Sequence, residues 1–311
     1  TLSLHDALPI LVLVNGVFGK RMVDVADRLG AEVDALEFEW GSPIVVDQVS
    51  EQLKKKEYDI VSIIHAETST GVLNPVQQIG DLLKGRDTLY IVDTVTSLGG
   101  LPVEVDKWGI DVCYSGTQKC LACPPGLAPI TFSEKAVQKI KNRKCKVPNW
   151  YLDMNMLMQY WGGSNRVYHH TAPVNMVYAL YQAILNVLDE GLDNVFARHC
   201  SARDRLEAGF SDLGMDMLVK KPYRLVSVNV PLVPAGVNDA EVRQRLIEWE
   251  ISRNERNEAL LSEIVASATW VKIITRTFMQ LIERIILFSE DISDDEIREE
   301  MRLVFEAATK N

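Results

Sequence analysis

Short apolar runs alternate along this chain with amphipathic stretches, and that alternation limits the fold more than any other feature. Residues 10–14, 32–38, 59–64, 88–92, 111–114 and 127–132 read as strands. Between them, 17–29, 46–55 and 75–83 repeat apolar positions at helical spacing. Val17, Met22, Val25, Ala26 and Leu29 share one face of the first helix, and Gly30 stops it. Strands covered on both faces read as unbroken apolar runs, so the pattern predicts a mostly parallel sheet sandwiched by helices. After Pro173 the chain turns helical over 174–188 and 194–213, with a strand expected at 224–230 and a helix at 239–249. The domain division that follows is a large α/β domain over residues 1–190 and a smaller α+β domain over 191–311.

Composition enters where partners are considered. Against 43 Asp and Glu the chain sets 33 Lys and Arg, a formal charge of −10 over 311 residues. A surface of that sign repels phosphate backbones and anionic lipid, which argues against nucleic acid or a membrane as the partner. No apolar run approaches the ~20 residues of a membrane helix. The cysteines are Cys113, Cys120, Cys123, Cys145 and Cys200. An odd count suits free thiols in a reducing compartment, the cytoplasm first, or a peroxisome or mitochondrion in a eukaryotic cell. Cys120 and Cys123 form a C-x-x-C pair, but no second pair completes a four-ligand zinc site, so no metal is expected.

Three strands end in residues capable of chemistry. His65 to Gly71 follow the third, Asp93 follows the fourth, and Ser115 to Lys119 follow the fifth. In open α/β sheets, ligands sit outside the carboxyl ends of the strands. Asp93 and Lys119 could form a structural ion pair. The sharper reading is a pyridoxal phosphate site. That cofactor needs a lysine to hold its aldehyde as a Schiff base, and a carboxylate to keep its ring nitrogen protonated. The small residues between Thr94 and Gly100 let a planar ring approach the backbone, while Ser115, Gly116, Thr117 and Gln118 offer hydrogen bonds.

The segments HAETSTGVLNP (65–75), DTVTSLGGLPVEVDKWGIDVCYSGTQKCLACPPGLAPITFSEKA (93–136) and YHHTAPV (168–174) make the resemblance specific. In order and spacing the chain resembles the alanine–glyoxylate and serine–pyruvate aminotransferases, class V of the fold-type I pyridoxal phosphate enzymes, from about residue 10 to 249. The resemblance implies a mixed seven-stranded sheet in the large domain and a homodimer with shared sites. It implies that Lys119 binds the cofactor and moves the α-proton, and that Asp93 pairs with the ring nitrogen. Val95 would pack on the ring face, Thr68 would stand near the ring, and Gln118 would touch the phosphate. Tyr168 and Thr171 would reach the phosphate of the neighbouring subunit. The implied reaction moves an amino group from alanine or serine to glyoxylate or pyruvate. A 2-aminoethylphosphonate–pyruvate aminotransferase shares the strand-end motifs and is one alternative; an inactive truncated chain of the same family is another. YHHTAPV favours the first reading.

Two departures from the family pattern are visible. Members carry a segment before the first strand, with a phosphate-holding turn and an aromatic that stacks on the ring. This sequence shows no counterpart, so an N-terminal part is expected to be missing and cofactor retention to be weak. Members also place a Lys-x-x-Arg-Ile-Gly segment late in the chain, whose arginine clamps the substrate carboxylate. Here 252–280 contains no glycine, from either a reading-frame slip or divergence, and Lys272 and Arg276 are the nearest cations. His65 reads as a packing histidine, and the adjacent His169 and His170 are expected to diverge. The cluster of Met154, Met156 and Met158 with Tyr151, Tyr160 and Trp161 reads as core or dimer contact, and the basic run over 139–146 as a solvated helix end.

Overall fold

β1 (Pro9–Val14) buries Leu11 to Val14 completely, as an apolar run covered on both faces must. The structure is a computed structural model that describes residues 8–162, 167–212 and 214–233, all within one compact unit. From β1 the chain alternates: α1 (Val17–Arg28), β2 (Glu32–Glu37), α2 (Val46–Lys55) and β3 (Ile60–Ile64). A small hairpin follows, β4 (Ala66–Glu67) and β5 (Val72–Leu73), and then α3 (Val76–Leu83) and β6 (Leu89–Asp93). β7 (Val112–Tyr114) and β8 (Ile130–Phe132) complete the sheet. Helices α4 (Glu134–Lys141), α5 (Met154–Gly162), α6 (Val174–Glu190) and α7 (Leu192–Asp212) come after it.

The sheet order is β2-β1-β3-β6-β7-β8, parallel throughout except for the antiparallel β7–β8 pair. The main sheet therefore has six strands among the described residues, where seven were expected. β2 lies at one edge, and no residue in it is fully buried, unlike those of β1 and β3. The main core fills one side, where Leu11, Leu13, Val49, Ile63, Ile79 and Tyr90 are buried against one another. α4 is capped by Ser133, whose hydroxyl accepts the Ala136 N–H and donates to Asp111. In the basic run, Lys139 reaches across to Asp87 at 2.9 Å. The remainder of that run stands exposed or half-exposed.

The strand expected at 224–230 is absent. Single bridges join Val72 to Arg224 and Met217 to Pro231, with no ladder between them. Isolated backbone bonds, such as Leu225 N–H to the Gly71 carbonyl at 3.0 Å, and side chains anchor this segment instead. The Arg224 guanidinium donates to Glu207 at 2.8 Å and to the Val219 carbonyl at 2.6 Å, and the Ser227 hydroxyl donates to the Thr96 carbonyl at 3.1 Å. Pro231 has no N–H to extend a ladder. The helix expected at 239–249 lies outside the described residues. On α6, Val174, Val177, Tyr178, Tyr181, Ile184 and Leu188 form an exposed apolar stripe. Among the described residues no helix is long and apolar enough to cross a membrane.

Candidate functional site

Parallel register sets Ile64, Asp93 and Tyr114 side by side at the carboxyl ends of β3, β6 and β7. The residues that follow each of them make up the candidate site. Asp93 is only 9% exposed. Its Oδ1 accepts the Val95 N–H at 2.8 Å, and the Tyr114 hydroxyl donates to the same carboxyl group. Burial raises the Asp93 pKa above the ordinary carboxylate range; the two donors oppose the rise, and the charge of Glu67 adds to it. Burial and the Asp93 charge likewise push the Tyr114 hydroxyl up, so it stays a donor. Among the described residues no cation pairs with Asp93, and the structural ion pair with Lys119 does not form. Lys119 instead stands exposed in the turn after β7, where its carbonyl accepts the Ala122 N–H at 2.9 Å.

Thr96 joins the loops that carry these groups. Its hydroxyl lies 2.6 Å from Thr68 Oγ1, which ties the β4–β5 turn to the β6 end. Its carbonyl accepts from Cys120 Sγ at 3.4 Å, which ties in the residue next to Lys119. Thr68, Asp93, Val95, Gln118 and Lys119 thus occupy the ends of three neighbouring strands. Val95 and Gln118 are half-buried there. Burial also raises the Cys120 thiol pKa, so the C-x-x-C pair holds no ready nucleophile on that side.

Tyr168 and Thr171 are exposed, with their hydroxyls 2.8 Å apart, and the Tyr168 ring stands edge-on to Tyr160. Among the described residues no hydrogen bond links them to the strand-end group. The histidines between them correct an expectation. His169 and His170 converge, with their Nδ1 atoms 2.8 Å apart. Side chains alternate in direction only on a regular strand, and residues 167–173 are irregular. His169 is buried and stacks on Trp150 at 4.2 Å, nearly parallel. Lys272 and Arg276, like the rest of 252–280, lie outside the described residues.

Two residues at this edge, Tyr114 and Thr96, escaped the sequence reading. Tyr114 looked like an ordinary strand end and Thr96 like one of several small loop residues. Only the second of these had a usable signal, a threonine in the small-residue stretch that follows Asp93.

A family model for aminotransferase class-V matches residues 10–252. Alanine–glyoxylate aminotransferase of Mus musculus is 37% identical over 227 residues, which is 72% of this chain and 55% of the relative. (S)-Ureidoglycine–glyoxylate transaminase of Bacillus subtilis is 34% identical over 256 residues, 76% of this chain and 61% of the relative. The solved alanine–glyoxylate aminotransferase from Nostoc sp. superposes with a TM-score of 0.75 at 43% identity, over 78% of this chain and 64% of that one. The chain spans about 55% to 60% of the length of the first curated relatives it matches. A match of that extent, on a sheet whose strand ends carry the motifs in order, makes this chain a member of the class-V aminotransferase family.

Proposed function

We propose that the protein is a pyridoxal phosphate-dependent transaminase that moves an amino group from alanine or serine to glyoxylate or pyruvate. Asp93 carries the reading. It is a buried carboxylate held by two donors, with no paired cation among the described residues, one strand away from the turn that bears Lys119. A protonated heterocyclic nitrogen supplies the counter-charge that such a group lacks. The residues at the strand ends therefore fit the cofactor. When bound, it supplies an electron-withdrawing ring that acidifies the substrate's α-carbon.

The chain's own groups then divide the work. Asp93 would hold the ring nitrogen protonated, with Val95 packed on the ring face. Thr68 Oγ1, fixed by Thr96, would orient the ring. Lys119 Nζ would hold the aldehyde end; once freed by the substrate amine, it would take the proton from the α-carbon and return it. Gln118 would reach the phosphate. Tyr168 and Thr171 would reach the phosphate of a partner subunit in a homodimer. For the clamp on the substrate carboxylate, the nearest cations, Arg276 and Lys272, are candidates only, and no residue is given that role. The division at 190/191, where Gly191 separates α6 from α7, belongs to the same reading. So does a reducing compartment, the cytoplasm first, in keeping with the odd count of five cysteines.

Both named relatives have glyoxylate in their names, while the donor differs between them. Support is therefore stronger for the acceptor than for the donor. The phosphonate reading has no comparable support. Reconstitution with pyridoxal phosphate tests the proposal. A visible absorbance band is expected that borohydride removes, that Lys119→Ala lacks, and that alanine bleaches and glyoxylate restores. Asp93→Asn is expected to weaken cofactor binding by roughly 100-fold, as loss of a buried charge partner does. A parent chain without the band sinks the reading. Bleaching by 2-aminoethylphosphonate but by neither alanine nor serine reverses the choice of substrate.

A further inference from the structure

Glu67 is fully buried at the end of β4, and every hydrogen-bonding neighbour of its side chain is a donor. Gly19 N–H reaches Oε2 at 3.2 Å and Phe18 N–H reaches Oε1 at 3.5 Å. Ser69 N–H and the Ser69 hydroxyl donate to Oε1 at 3.1 and 2.6 Å. The Ser69 oxygen in turn accepts the Val17 N–H at 2.9 Å. The first amides of α1 are thus capped by residues some fifty positions away. The helix has no cap of its own: Gly16 precedes it and its first turn holds no acid. Gly16 also has no room for a side chain, since a Cβ there would run into Glu67 Cδ and Ser69 Oγ.

We propose that Glu67 is a positioning residue, whose carboxylate locks the first turn of α1 to the Glu67–Ser69 turn and so fixes where Thr68 stands at the cofactor site. The inference rests on the ring-cofactor reading above. Thr68 lies between the two residues of the clamp, and its hydroxyl meets Thr96 at the end of β6. One consequence is an exclusion: the α1 N-terminus already holds an anion of the protein's own, so its amides are not free to hold a cofactor phosphate. Another is electrostatic. The Glu67 charge acts on Asp93 and favours the proton there.

Glu67→Gln and Ser69→Ala, compared with the parent chain, test the inference. Hydrogen exchange without cofactor comes first. In Glu67→Gln the amides of Phe18, Gly19 and Ser69 are expected to exchange about 10-fold faster, and in Ser69→Ala that of Val17, with β1 and β3 unchanged. Titration with pyridoxal phosphate comes second, followed through the visible band. Glu67→Gln is expected to raise the dissociation constant about 10-fold and to move the band's pH midpoint downward, because a negative charge near the protonated ring is gone. Ser69→Ala is expected to raise the dissociation constant less and to leave the midpoint in place. Faster exchange at those amides with unchanged affinity and midpoint overturns the positioning role and leaves the transaminase reading intact. A parent chain that binds no pyridoxal phosphate overturns both. If Glu67→Gln fails to fold, Ser69→Ala decides at its exposed position, and unchanged affinity there overturns the inference.

Discussion

His65 follows β3 with Nδ1 2.9 Å from Ser97 Oγ and its ring edge-on to Trp108, centroids 5.3 Å apart. Burial pushes its pKa from 6.5 down to about 4, so the ring is neutral near neutral pH. The geometry supports a packing role. It also makes the fold acid-sensitive. The unfolded chain gains a proton below 6.5, whereas the folded chain resists it until about 4. Stability present above 6.5 is therefore lost as pH falls through that window, by about 3 kcal/mol at most. Urea midpoints measured across the window should fall less steeply in His65→Gln than in the parent; equal slopes would reject the buried neutral histidine. At this scale the residue types were legible, because Asp93, Lys119 and His65 declare their chemistry. Tyr114 and Thr96 were not, because each acts through a partner on another strand or loop.

α3 packs so closely on the loop after β6 that Gly80 touches it directly. A Cβ on Gly80 would overlap the Trp108 carbonyl oxygen, which is backbone and cannot swing away. Alanine is the better helix former by about 1 kcal/mol. Overpacking against fixed backbone costs about 1–3 kcal/mol, so the clash outweighs the propensity. Gly80→Ala should lower the urea midpoint without changing the slope of the transition. A raised midpoint would mean the helix does not sit this close. Helices α1 to α3 and strands β1 to β3 were legible from periodicity, since alternating and helical spacings are local. The segment 224–230 misled for the complementary reason. Its apolar spacing suits a strand, yet Glu207, Val219 and Thr96 capture its side chains, and among the described residues it forms only single bridges.

Among the described residues the α6 stripe is exposed, with Tyr178 at 70% exposure, and it begins three residues after Thr171. A homodimer in which Tyr168 completes the neighbour's site makes a prediction that a monomer does not. Neither Lys119→Ala nor Tyr168→Phe homodimers should bind cofactor as the parent does. Mixed dimers of the two should regain about half of the visible band, because one of the two shared sites is then intact. A mixture no better than the sum of its parents excludes shared sites. Sequence by itself determined the parallel sheet, the order of its motifs and the reactive residue types at the strand ends, because these follow from local spacing and side-chain chemistry. Only the tertiary structure decided which of them meet. Glu67 caps α1, Tyr114 donates to Asp93, Thr68 binds Thr96, and His169 turns toward His170. Each of these contacts depends on strand register or loop packing, and spacing along a chain does not encode the distance between two points that fold back on each other.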